Sequence, residues 1–250
     1  MDPRNSSRIF AQTFRNIYRS TDGGATYRAP KVPLYNILSV ALDPQASTTL
    51  YAGAGAGPTI GIYKSTDDGQ NWSRLGDLSM VNAIAISPIS SATIFAATDG
   101  GLMKSSDRGA AWTQSGSFNN VYTVIFDPQN SQTLYASTAF DGVFKSANGG
   151  VNWTAINTGF PNSGGPAAKI LAVDPFNHSV IYAAGRDGIF RSANSGANWS
   201  AIDAGLRVRQ RFWVSAFAID PLTPSTFYVG LDSGGMYKAP MAPQAGLPPA

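Results

Sequence analysis

Four short segments of the chain place Asp beside or near Gly, and carboxylates of this kind can carry chemistry. They are Asp99-Gly100, Asp141-Gly142, Arg186-Asp187-Gly188 and Asp232-Ser233-Gly234. A pair of carboxylates can act as the acid and base of a glycosidase, and a ring of them can hold a hard cation. Asp-Gly is also the commonest two-residue hairpin turn. We therefore predict hairpin turns, and a glycoside hydrolase or lyase that uses Asp141, Asp187 or Asp232 is the alternative.

The segment from Gly205 to Trp213 carries the strongest sign of ligand binding. Arg207, Arg209 and Arg211 alternate in front of Phe212 and Trp213. Alternate side chains of an extended segment project to one side, and guanidinium groups bind carboxylates and other anions through paired hydrogen bonds. A solvated edge without a ligand is the alternative, because surface charges usually bind nothing specific. The predicted binding residues are Arg15, Asp141, Arg186, Asp187, Arg207, Arg209, Arg211, Trp213 and Asp232.

Composition excludes several kinds of chemistry. The sequence has 15 acidic residues, all of them Asp, together with one His (His178) and no Cys. Thiol chemistry is excluded, and we expect neither a catalytic zinc site nor any other metal or cofactor. The net charge of +3 is mild, and the basic residues are spread along the chain, so nucleic-acid binding is not expected. The glycines of residues 53–57 lack the following Lys-Ser/Thr of a phosphate-binding loop and predict a flexible loop.

The elements that must position these residues are organised by a repeated octet, Ser-x-Asp-x-Gly-x-x-Trp. Its five copies start 45, 40, 41 and 46 residues apart, and such a period is typical of a repeat architecture. We interpret each octet as a hairpin turn in which Ser and Asp accept backbone N–H groups, Gly adopts positive φ, and the aromatic residue packs. The octet residues are Ser20, Asp22 and Gly24 (with Tyr27); Ser65, Asp67, Gly69 and Trp72; Ser105, Asp107, Gly109 and Trp112; Ser146, Asn148, Gly150 and Trp153; Ser192, Asn194, Gly196 and Trp199.

The stretches between the octets predict short β-strands. An alternating apolar run ends in Asp-Pro or Ser-Pro, and a second run such as Leu50-Tyr51-Ala52 follows. Four strands per repeat of about 42 residues are typical of a propeller blade. We therefore predict an all-β fold, a β-propeller with about six visible blades, of which both terminal blades are incomplete. The blades span residues 2–30, 37–75, 81–115, 121–157, 169–203 and 213–238, and the Pro/Ala-rich residues 239–250 form a tail or linker.

With their Asp-Pro and Leu-Tyr-Ala elements, the octets resemble the Asp-box, or bacterial neuraminidase repeat. The resemblance covers residues 2–238 and implies the fold of sialidases, xyloglucan-type endoglucanases, sortilin-like receptors and photosystem II assembly-factor-like proteins. In that family the box is structural and lies opposite the functional face, which places the predicted binding residues on the other edge. Asn148 and Asn194 depart from the box but keep an acceptor oxygen. Sialidase activity is excluded, since the chain has no Glu to activate a Tyr nucleophile and no Phe/Tyr-Arg-Ile-Pro motif.

The sequence thus predicts a non-catalytic binding or scaffolding propeller that recognises a protein partner or a polysaccharide through its inter-blade loops. We expect a monomer or a part of a longer chain, with no membrane insertion, because no apolar run approaches the length of a membrane helix. The relatives that the resemblance implies are mostly exported. The expected location is therefore extracellular or periplasmic, although the sequence shows no signal peptide.

Overall fold

The computed structural model describes residues 2, 4–29, 34–160, 168–186, 188–202, 214–220, 226–232 and 235–240. The regular structure of these ranges consists of short β-strands and one 3-10 turn at Gly57–Thr59. The strands are β1 (Ile9–Gln12), β2 (Ile17–Ser20), β3 (Ile37–Leu42), β4 (Leu50–Ala54), β5 (Gly61–Ser65), β6 (Ser73–Gly76), β7 (Val81–Ser87), β8 (Ser90–Thr98), β9 (Gly101–Ser105), β10 (Thr113–Gln114), β11 (Val121–Asp127), β12 (Asn130–Thr138), β13 (Val143–Ser146), β14 (Thr154–Ala155), β15 (Ala168–Val173), β16 (Ile181–Gly185), β17 (Gly188–Ser192), β18 (Ser200–Ala201), β19 (Val214–Ile219), β20 (Thr226–Leu231) and β21 (Gly235–Pro240).

The strands form six sheets in chain order, and each strand pairs with its neighbour in sequence. Sheet 1 contains β1 and β2, and sheet 6 contains β19, β20 and β21. Sheets 2, 3, 4 and 5 each have four strands, beginning at β3, β7, β11 and β15. The prediction of an all-β chain built from four-stranded blades is confirmed. The first and last sheets have fewer strands among the described residues, as predicted.

The chain forms two compact units. Unit 1 consists of residues 1–136 and 146–153, and it contains sheets 1, 2 and 3 together with the fourth octet. Unit 2 consists of residues 137–145 and 154–250, and it contains sheets 5 and 6. Each unit has its own buried apolar clusters, around Tyr51 and Ile94 in unit 1 and around Ile189 and Phe227 in unit 2.

The second strands of sheets 2, 3, 4 and 5 form the core. The triplets Leu50-Tyr51-Ala52, Leu134-Tyr135-Ala136 and Ile181-Tyr182-Ala183 are at most 1% exposed. A continuous apolar run of this length is typical of a strand that is covered on both faces. Burial, the main cause, raises the pKa of the Tyr51 hydroxyl to about 12, so this group stays neutral in the folded protein.

The glycine-rich composition of residues 53–57 predicts a flexible loop, but the first two of these residues belong to a strand. Gly53 and Ala54 complete β4 and pair with Ile62 and Gly61 of β5. A Cβ atom at Gly53 would lie 2.6 Å from the side chain of Val81 on the next sheet. Glycine is required here because two sheets approach each other closely, a contact that local sequence does not reveal.

The Asp-Pro elements end the first strands through one repeated set of hydrogen bonds. In the copies at Asp2, Asp43, Asp174 and Asp220, the Asp N–H donates to the carbonyl oxygen six residues later, at 2.9–3.0 Å. The Asp carboxylate accepts the N–H two residues later, as from Gln45 and Phe176. This Asx-type turn lets the chain reverse into the second strand after proline has stopped the first.

The residues described include no helix that is both long and apolar enough to cross a bilayer.

Candidate functional site

The octets occupy one edge of the sheets and are closed by hydrogen bonds from their own first and third residues. The Ser hydroxyl donates to the Asp or Asn side chain at 2.7–3.0 Å and accepts the N–H of the octet Gly at 2.8–2.9 Å. The Asp or Asn oxygen Oδ1 accepts the N–H of the seventh residue at 2.9 Å in every copy. Asn148 and Asn194 therefore make the same acceptor bonds as the carboxylates.

Two consecutive octet residues have left-handed backbone. The fifth residue, always Gly, has φ between 80° and 96°, and the fourth has φ between 57° and 70°. The fourth residue is Asp68, Arg108 or Ser195 in three copies, so a non-glycine residue bears a conformation that usually costs energy. Its N–H donates at 2.7–3.0 Å to a carbonyl close to the start of the second strand of the same blade, which holds it there.

The Trp residues of the third, fourth and fifth octets pack against the preceding sheet or the segment that follows it. Trp112 packs in the cluster with Leu75, and the Trp153 ring meets Phe118 edge-on at 5.7 Å. In unit 2 the indole of Trp199 donates to the Ile156 carbonyl at 2.7 Å, and its ring lies 4.7 Å from Phe160. The octets therefore join consecutive blades as well as closing turns.

The basic residue before each octet Ser faces the aromatic residue of the second strand. Lys64 pairs across the strands with Tyr51, and Lys104 with Phe95, and each ammonium group lies 5.5 Å from the ring centroid. Lys238 repeats the arrangement over Tyr228 at 5.7 Å. Cation–π attraction of this kind accounts for the regular spacing of the basic residues without invoking a ligand.

Hydrogen bonds lower the pKa values of the octet carboxylates. The hydroxyl and N–H of Thr26 lower the pKa of Asp22 to about 2, and the N–H and side chain of Asn71 lower that of Asp67 to about 2. The N–H of Ala111 lowers the pKa of Asp107. A carboxyl whose pKa is lower in the folded than in the unfolded state stabilises the fold above its unfolded pKa, and that contribution is lost as the pH falls.

We expect the triple variant Asp22→Asn, Asp67→Asn, Asp107→Asn to remove part of the acid sensitivity of folding. Between pH about 4, the unfolded value, and pH about 2, its melting temperature should fall less than that of the parent chain. Asn148 and Asn194 show that Asn fits the turn. The measurement is calorimetric melting across this pH range, with Asp77→Asn, whose side chain is 88% exposed, as the control. An unchanged pH profile of the triple variant would contradict the assignment.

The opposite edge carries the turns between the second and third strands. Of the predicted binding residues, Arg15 lies in such a turn in unit 1, and Asp141, Arg186 and Asp232 lie in three such turns in unit 2; all four are exposed. Asp187, Arg207, Arg209, Arg211 and Trp213 fall outside the described residues. The predicted Arg-rich segment therefore stays a prediction.

Hydrogen bonds fix the carboxylate of Asp99 and the backbone of Asp141 on this edge. The Asn82 amide donates to the carboxylate of Asp99 at 3.0 Å and to the Val121 carbonyl at 2.9 Å. The N–H of Asp141 donates to the Thr138 hydroxyl at 2.9 Å. Within the described ranges, no three Asp or His side chains gather where a cation could be held.

Two exposed aromatic residues mark this edge in unit 1, and sequence reasoning missed them. Phe14 is 67% exposed in the turn between β1 and β2, directly before Arg15, and Tyr35 is 48% exposed in the connection to β3. The signal was present, because a turn normally carries polar residues and Phe14 is apolar. We call Phe14, Arg15 and Tyr35 the aromatic edge.

Hydrogen bonds between three segments hold the aromatic edge in place. The Phe14 carbonyl accepts the N–H of Asn36 at 2.6 Å. The hydroxyl of Thr59 donates to the Tyr35 carbonyl at 2.9 Å and accepts the Tyr35 N–H at 3.3 Å. The N–H of Gly55 donates to the Asn36 carbonyl at 2.9 Å. The two rings are thus presented by a fixed backbone, which lowers the entropic cost of binding.

Four-stranded sheets in chain order, joined by octets on one edge, define a β-propeller. A family model described as the DUF6242 beta propeller domain matches residues 46–172, and the chain belongs to this family. The curated proteins include no sequence significantly similar to the chain.

Solved structures of known propeller proteins are similar to this chain. An ancestral GH74 enzyme is 24% identical, with a TM-score of 0.77 over 95% of this chain and 35% of its own. The GH74 xyloglucanase from Xanthomonas campestris is 17% identical, with a TM-score of 0.76 over 95% of this chain and 44% of its own. YCF48 bound to D1 peptide is 17% identical, with a TM-score of 0.68 over 96% of this chain and 76% of its own. This chain spans less than half of the two GH74 chains, and identities this low establish the fold alone.

Proposed function

We propose that this propeller is a non-catalytic binding module whose aromatic edge engages a protein segment or a polysaccharide. The observation that carries the proposal is the pair of exposed rings, Phe14 and Tyr35, presented beside Arg15 by a hydrogen-bonded backbone. Aromatic and Arg side chains dominate the binding energy of protein interfaces, and exposed aromatic rings also pack against the apolar faces of sugars. Among its structural neighbours, YCF48 was solved with a bound peptide and a GH74 protein is a xyloglucanase, which supports both ligand classes.

The proposal predicts that Phe14→Ser and Tyr35→Ser each weaken ligand binding by about tenfold or more, because each removes an aromatic contact worth at least about 1.4 kcal/mol. The measurement is retardation of the purified protein in native gels that contain soluble plant and bacterial polysaccharides. Capture of a protein partner by immobilised parent and variant chains covers the second ligand class. Phe176→Ser is the matched control, since Phe176 is 63% exposed but follows an Asp-Pro turn on the octet edge. Equal binding by all four proteins would refute the role of the aromatic edge.

The alternative function is a glycoside hydrolase or lyase that uses Asp141, Asp187 or Asp232. The specific observation in its favour is that Asp141 and Asp232 are exposed in turns between second and third strands, on the edge opposite the octets. Release of reducing ends from the same polysaccharides tests it. Turnover that is abolished by Asp141→Asn would replace the binding proposal, whereas folded protein without turnover would leave the binding proposal in place.

We further propose an extracellular or periplasmic location, where polysaccharides and surface proteins are accessible. Fractionation of the source cells with an antibody against the propeller tests this proposal, and recovery in the cytoplasmic fraction would contradict it.

A further inference from the structure

A cavity of about 450 Å³ lies between sheet 1 and the second octet, within unit 1. Phe10, Ile17 and Ala29 form its apolar wall. Its polar wall consists of Arg19, Arg28, Asp68, Gly69, Gln70 and Asn71. This volume suits a small organic molecule, and the mixture of apolar and polar walls is typical of ligand sites. The cavity is on the octet edge, so it is separate from the aromatic edge.

Two arginines lie directly opposite each other in the wall of this cavity. Arg19 and Arg28 form an antiparallel bridge, and each donates its N–H to the other's carbonyl at 2.9 Å. Like charges directly opposite each other on adjacent strands are destabilising. The other blades avoid this arrangement, because the position opposite the basic residue is a hydroxyl residue, namely Ser73, Thr113, Thr154 or Ser200. Arg28 is therefore the exception that needs a physical account.

The described charges around the cavity compensate only part of this positive charge. Asp68 pairs with Arg19, at 3.1 Å between Oδ2 and Nη2, but its other oxygen already pairs with Arg8. Among the described residues, none accepts a hydrogen bond from the guanidinium group of Arg28. The buried Nε of Arg19 also has no acceptor. Arg191 also has an orphaned Nε, so that atom alone marks no site. What distinguishes sheet 1 is the second guanidinium group and the cavity in front of it.

Additional donors face the same space. The side-chain NH₂ group of Gln70 donates one N–H to the Asp67 carbonyl at 3.1 Å, and that of Asn71 donates one to the Asp67 carboxylate at 2.6 Å. Each amide NH₂ group has a second N–H that can bind a ligand oxygen. An anion here would satisfy these donors and relieve the repulsion between the two arginines.

We propose that this cavity binds a small organic carboxylate with an apolar body. The carboxylate lies between the guanidinium groups of Arg19 and Arg28, which match its planar geometry through paired hydrogen bonds. The apolar body lies against Phe10 and Ile17. One carboxylate charge balances the one guanidinium group that Asp68 leaves uncompensated.

Calorimetric titration with 3-phenylpropionate tests the proposal, and its neutral amide is the control ligand. We expect saturable binding of the acid. The amide should bind at least about tenfold more weakly, because it lacks the charge-assisted hydrogen bonds. Arg28→Ser, which copies the other blades, should weaken binding of the acid by about tenfold or more. Without ligand this variant should melt no lower than the parent, because the like-charge pair is gone.

Three results would overturn the proposal. The first is no detectable binding of the acid at concentrations up to tens of millimolar. The second is an affinity for the acid that is the same in Arg28→Ser and in the parent chain. The third is tighter binding of inorganic phosphate than of the acid, which would assign the site to phosphates. Arg28→Lys keeps the positive charge but lacks the paired N–H donors of a guanidinium group, so it should bind the acid with intermediate affinity.

Discussion

Replacing Phe95 by Ala should lower the free energy of unfolding by about 4 kcal/mol, the largest effect that we expect from a single substitution in this chain. Phe95 is completely buried, its ring meets Phe126 edge-on at 5.6 Å, and the ammonium of Lys104 lies over it. The fourth octet also packs on it, since a Cβ atom at Gly150 would lie 2.6 Å from the ring. Truncation therefore creates a cavity that the surrounding sheets cannot fill.

The measurement is denaturant unfolding followed by tryptophan fluorescence, with two companion variants. Phe95→Tyr should cost less than about 1.5 kcal/mol, because the volume is nearly kept and the equivalent positions in four other blades are Tyr51, Tyr135, Tyr182 and Tyr228. Phe176→Ala, at a side chain that is 63% exposed, should change stability by less than about 0.5 kcal/mol. If Phe95→Ala were no more harmful than Phe176→Ala, the packing described between the third sheet and the fourth octet would be wrong.

Replacing Arg8 by Met should cost about 3 kcal/mol, because it removes the closest partner of the buried Asp2 carboxylate and one of the two partners of Asp68. Arg8 pairs with Asp2 at 2.6 Å and also with Asp68 and the Ser47 carbonyl. The Asp2 side chain is 1% exposed, and its remaining cation, Arg4, is 3.8 Å away. The N–H of Arg4, with the nearby guanidinium groups, lowers the pKa of Asp2, so this group is ionised at neutral pH and its charge must be compensated.

Arg74→Met provides the matched control. It breaks an ion pair of similar length, 2.8 Å to Asp77, but Asp77 is 88% exposed, so the cost should be below about 1 kcal/mol. Adding Asp2→Asn to Arg8→Met should restore part of the lost stability, because it removes the buried charge that has lost its closest partner. Equal melting temperatures for Arg8→Met and Arg74→Met, measured at neutral pH and low salt, would show that burial does not strengthen the Arg8 pairs.

The sequence predicted most of the fold because the repeat places the same residue types at the same structural positions five times. Ser-x-Asp-x-Gly has one local purpose, closing a turn, and Asp-Pro has another, ending a strand. Contacts between sheets were harder to predict. Gly53 and Ala54 were assigned to a loop because glycine-rich composition favours loops, whereas the actual requirement is the close approach of Val81.

The candidate site could be predicted from the sequence only in part, for physical reasons. Charge patterns drew attention to Arg207, Arg209 and Arg211, which lie outside the described residues. The aromatic edge depends on exposure. An apolar residue in a turn is a local sign for Phe14, but no local pattern reveals that Tyr35 faces solvent. The position of Arg28 opposite Arg19 depends on strand register, which the sequence indicates only after the blades have been aligned with one another.

The octet Trp residues pack against earlier parts of the chain, so the blades complete their contacts in order as the chain is synthesised. Trp112 covers residues of the preceding sheet, and Trp153 and Trp199 contact the segments that follow the preceding sheets. A ribosome must therefore deliver one further repeat, 40 to 46 residues, before the sheet already made has its full set of contacts. During that interval the newest blade exposes apolar surface, which is when a nascent chain is most open to chaperones and to aggregation. Synonymous codons that slow translation just after an octet would thus protect folding, whereas a pause just before one would prolong the exposure.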